Sequence, residues 1–548
     1  MALSPRAVGE RVKGFFNFGG KPTEAPVSRP NRRVEEPTDG SIRGGIRRAY
    51  GALKHHYTGP LADAHLIATL CVILSIIGLI MVLDASGPAS LRDYGNYYMV
   101  FIRQVVFVTL GWIAYYVALR LPVSVLRKSS FPLYVVCIVL LILVLIPGIG
   151  SEVNGARSWF VFPHFSFQPS ELAKIALIIV VAMVLGQLNH MSTIGNMLKP
   201  LASFFFPMVI LVVLQRDLGM TVTYGVVFFA FLYFGRMPMK VIASLGFLAA
   251  MLFVILTVTV GFRADRLVTY WHQLLGKSYD AQNVGYQARQ SLLALADGGI
   301  TGVGLGQSRA KYFYLPEASN DFIFAILGEE LGLLGALVVI GLYVAVGFVG
   351  LRIAARVIDP GLRLMAAVGT TSIVVQAFIN MGYVSGLLPV TGLQLPLISA
   401  GGSATVTTLF LLGLITSAAR HEREAIAAIN TGGGRLGKLF RLPEPVVYHF
   451  GDTLDFGMMT SFYARLVGNP ATTSYQWKSE HSADYHNHST RSGPSPREKF
   501  TSESKQPPKR SRPTERTLPP LDRPTGGRFR TPPRGSSRRQ PPHPRKPR

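Results

Sequence analysis

The chain has 548 residues, of which 49% are apolar and only 16% charged, against the ~25% charge typical of soluble domains. That balance excludes a soluble globular protein, and the two cysteines, Cys71 and Cys137, lie inside apolar runs and offer neither a disulfide framework nor a metal-binding spacing. The formal net charge of +25 is gathered toward the two ends.

Residues 1–60 hold 11 Lys and Arg against 5 Asp and Glu, a net +6. Such a segment cannot bury enough apolar surface to fold alone, so 1–64 reads as a disordered cytoplasmic tail. No signal-peptide pattern precedes the first apolar run, which must itself serve as the insertion signal. From about 66 to 419 one apolar run follows another. A bilayer core of ~30 Å takes ~20 apolar residues per helix. The fold class is therefore all-α, a polytopic membrane protein with about ten transmembrane helices in a domain over 65–425. The expected spans are 65–85, 100–120, 131–147, 170–188, 201–215, 219–235, 240–261, 321–350, 363–387 and 403–419. Pro207 implies a kink or a late start in the fifth.

Lysines and arginines in short loops set orientation. One set of loops holds Arg120, Arg127, Lys128, Lys199, Arg236, Lys240, Arg352, Arg356 and Arg363, and the opposite set only Arg92, Arg103, Arg157 and Arg216. The first set is expected in the cytoplasm, with both termini. Three outer segments follow: 148–169, the large extracytoplasmic loop 262–320, and 388–402. Residues 426–548 read as a cytoplasmic, mostly disordered, basic and Pro-rich tail. Its last part, 481–548, holds 17 Lys and Arg against 5 Asp and Glu, a net +12.

The charged residues at the outer face carry the chemistry. Asp321 opens an apolar run. It reads equally as a helix N-cap, whose carboxylate accepts an orphan N–H, and as a working carboxylate, because ionisable groups at membrane depth are costly and often functional. In "QPSELAK" (168–174), Gln168 or Ser170 is the expected cap, and Glu171 and Lys174 are helix-face neighbours that neutralise each other. Arg157 in "NGARSWF" reads as an interfacial anchor beside Trp159 or as a phosphate clamp. "QRDLG" (215–219) reads as a salt-bridged turn. "GVGLG" (302–306) has no strand–turn–helix context and is no nucleotide loop; it reads as flexible backbone close to a ligand. Gly328 and Gly332, four apart, are expected to admit a closely packed helix.

"GARSWF", "QPSELAK", "GYQARQS", "GVGLGQS", "LPEASNDFIFAILGEELG" and "LPVTGLQLPLISAGGSA" occur in this order. Together they resemble the SEDS family (shape, elongation, division and sporulation), the FtsW/RodA group, over about 65–425. The wording "GLLPVTGLQLPLISAGG" (386–402) and the basic tails are more similar to its FtsW-like division branch. The resemblance implies a peptidoglycan glycosyltransferase that polymerises lipid II at the outer face of the cytoplasmic membrane. The GlcNAc 4-hydroxyl of the acceptor attacks C1 of the donor MurNAc, and undecaprenyl pyrophosphate leaves with inversion. It implies Asp321 as general base and Arg157, Lys174, Glu171, Gln168, Ser170 and Glu317 as substrate-binding residues. Ser319 stands where many members carry His, so no acid–base role is placed on it. No organic cofactor is expected, while a divalent cation (Mg or Mn) would suit the pyrophosphate. The implied partners are lipid II, a class B penicillin-binding transpeptidase and other divisome proteins at the septum, with FtsZ as a candidate for the cytoplasmic tail. No specific nucleic-acid binding is expected. The alternatives are a lipid II flippase and a non-catalytic division scaffold.

Overall fold

The computed structural model describes residues 59–153, 155–162, 165–187, 194–259, 270–272, 275, 284–430, 437 and 441–445. Of the expected tails 1–64 and 426–548, residues 1–58, 431–436, 438–440 and 446–548 lie outside the described residues, as does most of 260–283 at the start of the expected loop 262–320. Twelve helices occur in chain order among those described: α1 (Ala62–Tyr94), α2 (Met99–Arg120), α3 (Val123–Leu145), α4 (Pro169–Leu185), α5 (Ile194–Leu214), α6 (Leu218–Phe234), α7 (Met239–Thr259), α8 (Val284–Gly298), α9 (Ile323–Arg356), α10 (Pro360–Val384), α11 (Gly402–Ala419) and α12 (Arg423–Asn430).

Each expected span coincides with a helix. By length and composition, seven helices could cross a membrane: α1, α2, α3, α5, α9, α10 and α11. The apolar α6 and the apolar stretch Met239–Leu252 of α7 are shorter. α4 is apolar on nearly every side and is buried at every position except Leu172, as expected for a helix sheathed by others. It touches α3, α5, α6, α10 and α11 and so forms the axis of the bundle. Other helices expose many large apolar side chains, among them Ile113 of α2, Val136 of α3, Ile210 of α5 and Phe348 of α9.

The structure keeps the all-α class and refines four details. Ser151–Val153 (β1), Ala156–Val161 (β2) and Ser166–Phe167 (β3) add a small antiparallel sheet in the segment 148–169, in the order β1-β2-β3. Gly155, at φ 79°, turns the first hairpin. Of the two expectations for Pro207, the late start is not seen: α5 starts at Ile194 and contains both Pro200 and Pro207 in its interior. α1 continues past residue 85 to Tyr94. α9 reaches Arg356 but is broken inside by Gly332, at φ 67° and ψ −167°.

Ion pairs separate the two ends of the bundle. At one end Asp63 meets Arg352 at 3.2 Å and Arg356 at 3.3 Å, and Arg127 pairs with Asp359. These are residues expected on the cytoplasmic side. At the other end Lys311 joins Asp84 at 2.7 Å, and Gln104 reaches the carbonyl of Ser399 at 3.3 Å. Asp321 lies at this second end, just before α9.

Candidate active site

Pro169 opens α4, where the missing N–H of proline costs nothing. Gln168 occupies the cap position without a side-chain cap bond. Its side chain instead donates to Asp217 at 2.8 Å, and its backbone N–H donates to the Ser403 hydroxyl at 3.3 Å. Asp217 caps α6 by accepting from the N–H of Met220 at 3.0 Å, so "QRDLG" is a capped corner tied to α4. Ser170 is fully buried; its carbonyl accepts from Tyr224 at 3.0 Å.

One turn further, the Lys174 ammonium donates to Glu171 at 2.9 Å and to Gln376 of α10 at 3.0 Å. Both charges are about 5% exposed or less. Burial of two ions is tolerated only when each has partners, and Gln376 supplies the second one. Gln376 in turn donates to the carbonyl of Gln394 at 3.2 Å.

Asp321 does not cap its helix. α9 begins at Ile323, and Phe322 holds the cap position without a side-chain bond. The Asp321 carbonyl accepts from Asn380 and from Tyr383, both at 2.8 Å. The two preceding carbonyls are held as well, that of Asn320 by the Ser399 hydroxyl at 2.6 Å and that of Ser319 by the N–H of Ala400 at 2.9 Å. Glu317 is exposed and left-handed at φ 57°. Its carboxylate takes a 2.6 Å bond from Asn320, and its carbonyl accepts the N–H groups of Asn320 and Phe322. Glu317 therefore shapes the turn that leads into Asp321.

The structure thus brings Glu171 and Lys174 together and links them, through α10 and the 393–400 loop, to the backbone of Asp321. Gln168 and Ser170 belong to the same corner. Arg157 belongs to the sheet: its guanidinium is 3.5 Å from Glu152, and its N–H bonds the carbonyl of Gln215 at 3.0 Å. The glycine-rich loop has a structural place of its own. It lies along the break in α9, with the N–H groups of Val303 and Gly304 on the carbonyls of Glu329 and Glu330, and Leu333 N–H on Gly299. At Gly328 the neighbour is α8, where a Cβ on Gly298 would fall 2.0 Å from the Gly328 carbonyl oxygen.

A second buried network was not anticipated. Lys311 bonds Asp84 at 2.7 Å and Glu330 at 3.0 Å, and Glu329 accepts from the Ser308 hydroxyl at 2.5 Å and the N–H of Arg309 at 2.8 Å. It anchors the loop to α1 and α9. The paired Glu329 and Glu330 inside an apolar run were its signal. Among the described residues no three His, Cys, Asp or Glu side chains converge into a metal site. The expected divalent cation therefore finds no protein-only cage here, and no chemical step is assigned to it.

The arrangement offers a half-buried carboxylate on a rigidly held turn, a buried ion pair on α4, which α10 links to that turn, and an arginine on the strand that touches α4. Such a set can accept a proton and hold an anionic group at one end of an apolar bundle. "Probable peptidoglycan glycosyltransferase FtsW" of Mycobacterium tuberculosis is 46% identical over 437 residues, covering 79% of this chain and 81% of that protein. "Stage V sporulation protein E" of Bacillus subtilis is 36% identical over 363 residues, covering 65% and 97%. A solved chain from a peptidoglycan synthase complex that coordinates polymerization and crosslinking has 26% identity and a TM-score of 0.54, over 65% of this chain and 97% of that one. The family of FtsW, RodA and SpoVE, described as "Cell cycle protein", matches residues 64–424, and the chain belongs to it.

Proposed function

We propose that the chain is a peptidoglycan glycosyltransferase that polymerises lipid II at the outer face of the cytoplasmic membrane, with Asp321 as general base. The observation that carries this reading is the clamped turn: Asp321 is half-buried at the end of the bundle opposite the arginine-rich loops, with its backbone tied to the helix that also partners Lys174. A lipid-linked substrate would present its sugars at that level while its tail stays in the bilayer.

In the reaction, the 4-hydroxyl oxygen of the acceptor GlcNAc bonds to C1 of the donor MurNAc. The C1–O bond to undecaprenyl pyrophosphate breaks, and the hydroxyl proton passes to Asp321. Pyrophosphate leaves as a stable anion and needs little acid assistance, so one carboxylate suffices. Arg157, with a side chain 35% exposed and a long 3.5 Å contact to Glu152, is the cation most able to swing onto that anion. Lys174 is already engaged by Glu171 and Gln376, and it acts by fixing α4 against α10. The gathering of Glu171, Lys174 and Asp321 at one end supports polymerisation over transport between the leaflets. The test is Asp321→Asn: lipid II polymerisation should fall by about 10²–10⁴-fold in a folded, membrane-inserted protein, and near wild-type synthesis by that variant would remove the assignment.

The partner reading is a crosslinking transpeptidase, supported by the similarity to a chain of a complex that couples polymerization with crosslinking. The tail 481–548 is assigned to septal recruitment through anionic lipid or an acidic cytoplasmic protein such as FtsZ, at ~1 kcal/mol per basic residue near the surface. Deleting 481–548 should spare polymerisation in vitro and reduce septal localisation in cells; unchanged localisation would leave the tail a spacer.

A further inference from the structure

We infer that Asn380 and Tyr383 are positioning residues for Asp321, an inference that rests on the general-base reading above. They are three apart on α10, hence neighbours on one face, and both are buried, Asn380 fully and Tyr383 to 1% exposure. Each contacts the same two carbonyl oxygens. Asn380 lies 2.8 Å from that of Asp321 and 2.6 Å from that of Leu393; Tyr383 lies 2.8 Å and 2.6 Å from the same pair. The two side chains are themselves 2.7 Å apart.

The proton inventory is tight. Asn380 brings two N–H hydrogens and Tyr383 one O–H. One carbonyl takes an N–H of Asn380, the tyrosine oxygen takes the other N–H, and the tyrosine hydroxyl serves the second carbonyl. Turning the amide over would aim its oxygen at two carbonyl oxygens, so the contacts themselves assign the nitrogen. The tyrosine ring adds an edge-to-face contact with Phe322, the residue after Asp321, at 5.6 Å between centroids.

This grip completes a pattern. Ser319, Asn320 and Asp321 are consecutive, and each carbonyl is bound from α10 or from the 393–400 loop. Three successive peptide planes are thereby fixed just before α9, and little backbone freedom is left to move the Asp321 side chain. The second carbonyl held by Asn380 and Tyr383, that of Leu393, immediately precedes Gln394, whose carbonyl is held by Gln376 and so by Lys174. The positioning device and the buried ion pair share one loop. A base held in this way keeps its geometry through the reaction, and a displacement of about 1 Å can cost on the order of 10²-fold in rate.

Tyr383→Phe is the test. It keeps the ring against Phe322 and removes only the hydroxyl. With the full chain and lipid II, kcat should fall about tenfold while KM stays within about twofold, the signature of an interaction expressed in the transition state. The melting temperature should remain close to wild type. Tyr134→Phe is the control, because Tyr134 also donates from a buried position to a carbonyl, that of Phe204 at 3.0 Å, on helices that do not hold Asp321; its kcat should be unchanged. Should Tyr383→Phe not fold, Ser399→Ala, which cuts the bond to the neighbouring carbonyl, should give the same kcat loss. Wild-type kcat in the folded variants, an equal loss in Tyr134→Phe, or a rise in KM with kcat held would each overturn the inference. Wild-type turnover by Asp321→Asn would instead overturn the general-base reading itself, so the two failures are distinguishable.

Discussion

Lys174 donates to Gln376 across the contact between α4 and α10, at 3.0 Å, and this bond joins a buried ion pair to the loop that borders the candidate base. The pair alone is local to one helix. With Gln376 it becomes a tie between two helices.

Breaking that tie from one side should be worse than removing both charges. Lys174→Met leaves Glu171 buried without its cation, which costs ~3–5 kcal/mol. Glu171→Gln together with Lys174→Met removes both charges and should recover much of that loss. Thermal unfolding of the purified proteins in detergent checks this; a double variant no more stable than Lys174→Met would show that the charges are not coupled.

Gly332 makes the sharpest backbone prediction. Its φ and ψ lie where only glycine is comfortable, and a Cβ there would be 2.3 Å from the backbone nitrogen of Gly302. Gly332→Ala should therefore destabilise by more than the ~1–3 kcal/mol of backbone strain alone. Gly341→Ala, in the same helix with open space at its Cβ, should be neutral or stabilising. Equal melting temperatures for the two variants would refute the account of the break.

Much of this was legible in the residues. Apolar runs placed the helices, and the three-residue spacing of Glu171 and Lys174 gave their pairing. The sheet was not expected because the overall apolar content argued for helix, although the short alternating stretch around Gly155 carries a hairpin signal. The break in α9 stayed hidden because glycine in an apolar helix reads first as a packing site; only the approach of the 299–304 backbone explains Gly332. Gln376, Asn380 and Tyr383 in "QAFINMGY" do form a readable polar stripe on one helix face. Their partners are backbone carbonyls of Asp321, Leu393 and Gln394, and no pattern of side chains announces those. Arg157 stood out as the arginine beside Trp159, yet its pairing with Glu152 depends on strand register that composition does not reveal.

Lys311 supports the 302–311 loop through two carboxylates. Its ammonium is 2% exposed. Burial works to lower its pKa, but the hydrogen bonds to Asp84 and Glu330 outweigh that and raise it above the usual 10.5. The stabilisation is then complete below 10.5 and is lost as pH rises through the higher folded value. Lys311→Met should leave the buried Glu330 and the half-buried Asp84 carboxylates facing each other and loosen the 302–311 loop. Limited proteolysis at neutral pH should cut the variant there faster than wild type, and Glu330→Gln added to Lys311→Met should restore protection. Unchanged cleavage in Lys311→Met would show that the network does not hold the loop.

The opposite end of the bundle should report pH through Glu422. This residue is 3% exposed and pairs by backbone with Val357 just beyond α9. One carboxylate oxygen is 3.9 Å from Arg356, too far for a strong bond, while Arg356 also serves Asp63. Burial first, and then the Asp63 charge, push Glu422 up to about 8 from its ordinary 4.5. The folded chain therefore holds this proton across a window in which the unfolded chain has released it. Between those two values the native state binds more protons, so stability falls as pH rises, by at most ~1.4 kcal/mol per pH unit for one group. Glu422→Gln keeps the shape and removes the proton demand. Melting temperatures measured from pH 5 to pH 8 should decline for wild type more steeply than for the variant, and the variant should be the more stable of the two at pH 8. Parallel curves would mean that Glu422 ionises in the folded protein as freely as in the unfolded one, and that the Arg356 contact is stronger than its 3.9 Å separation implies.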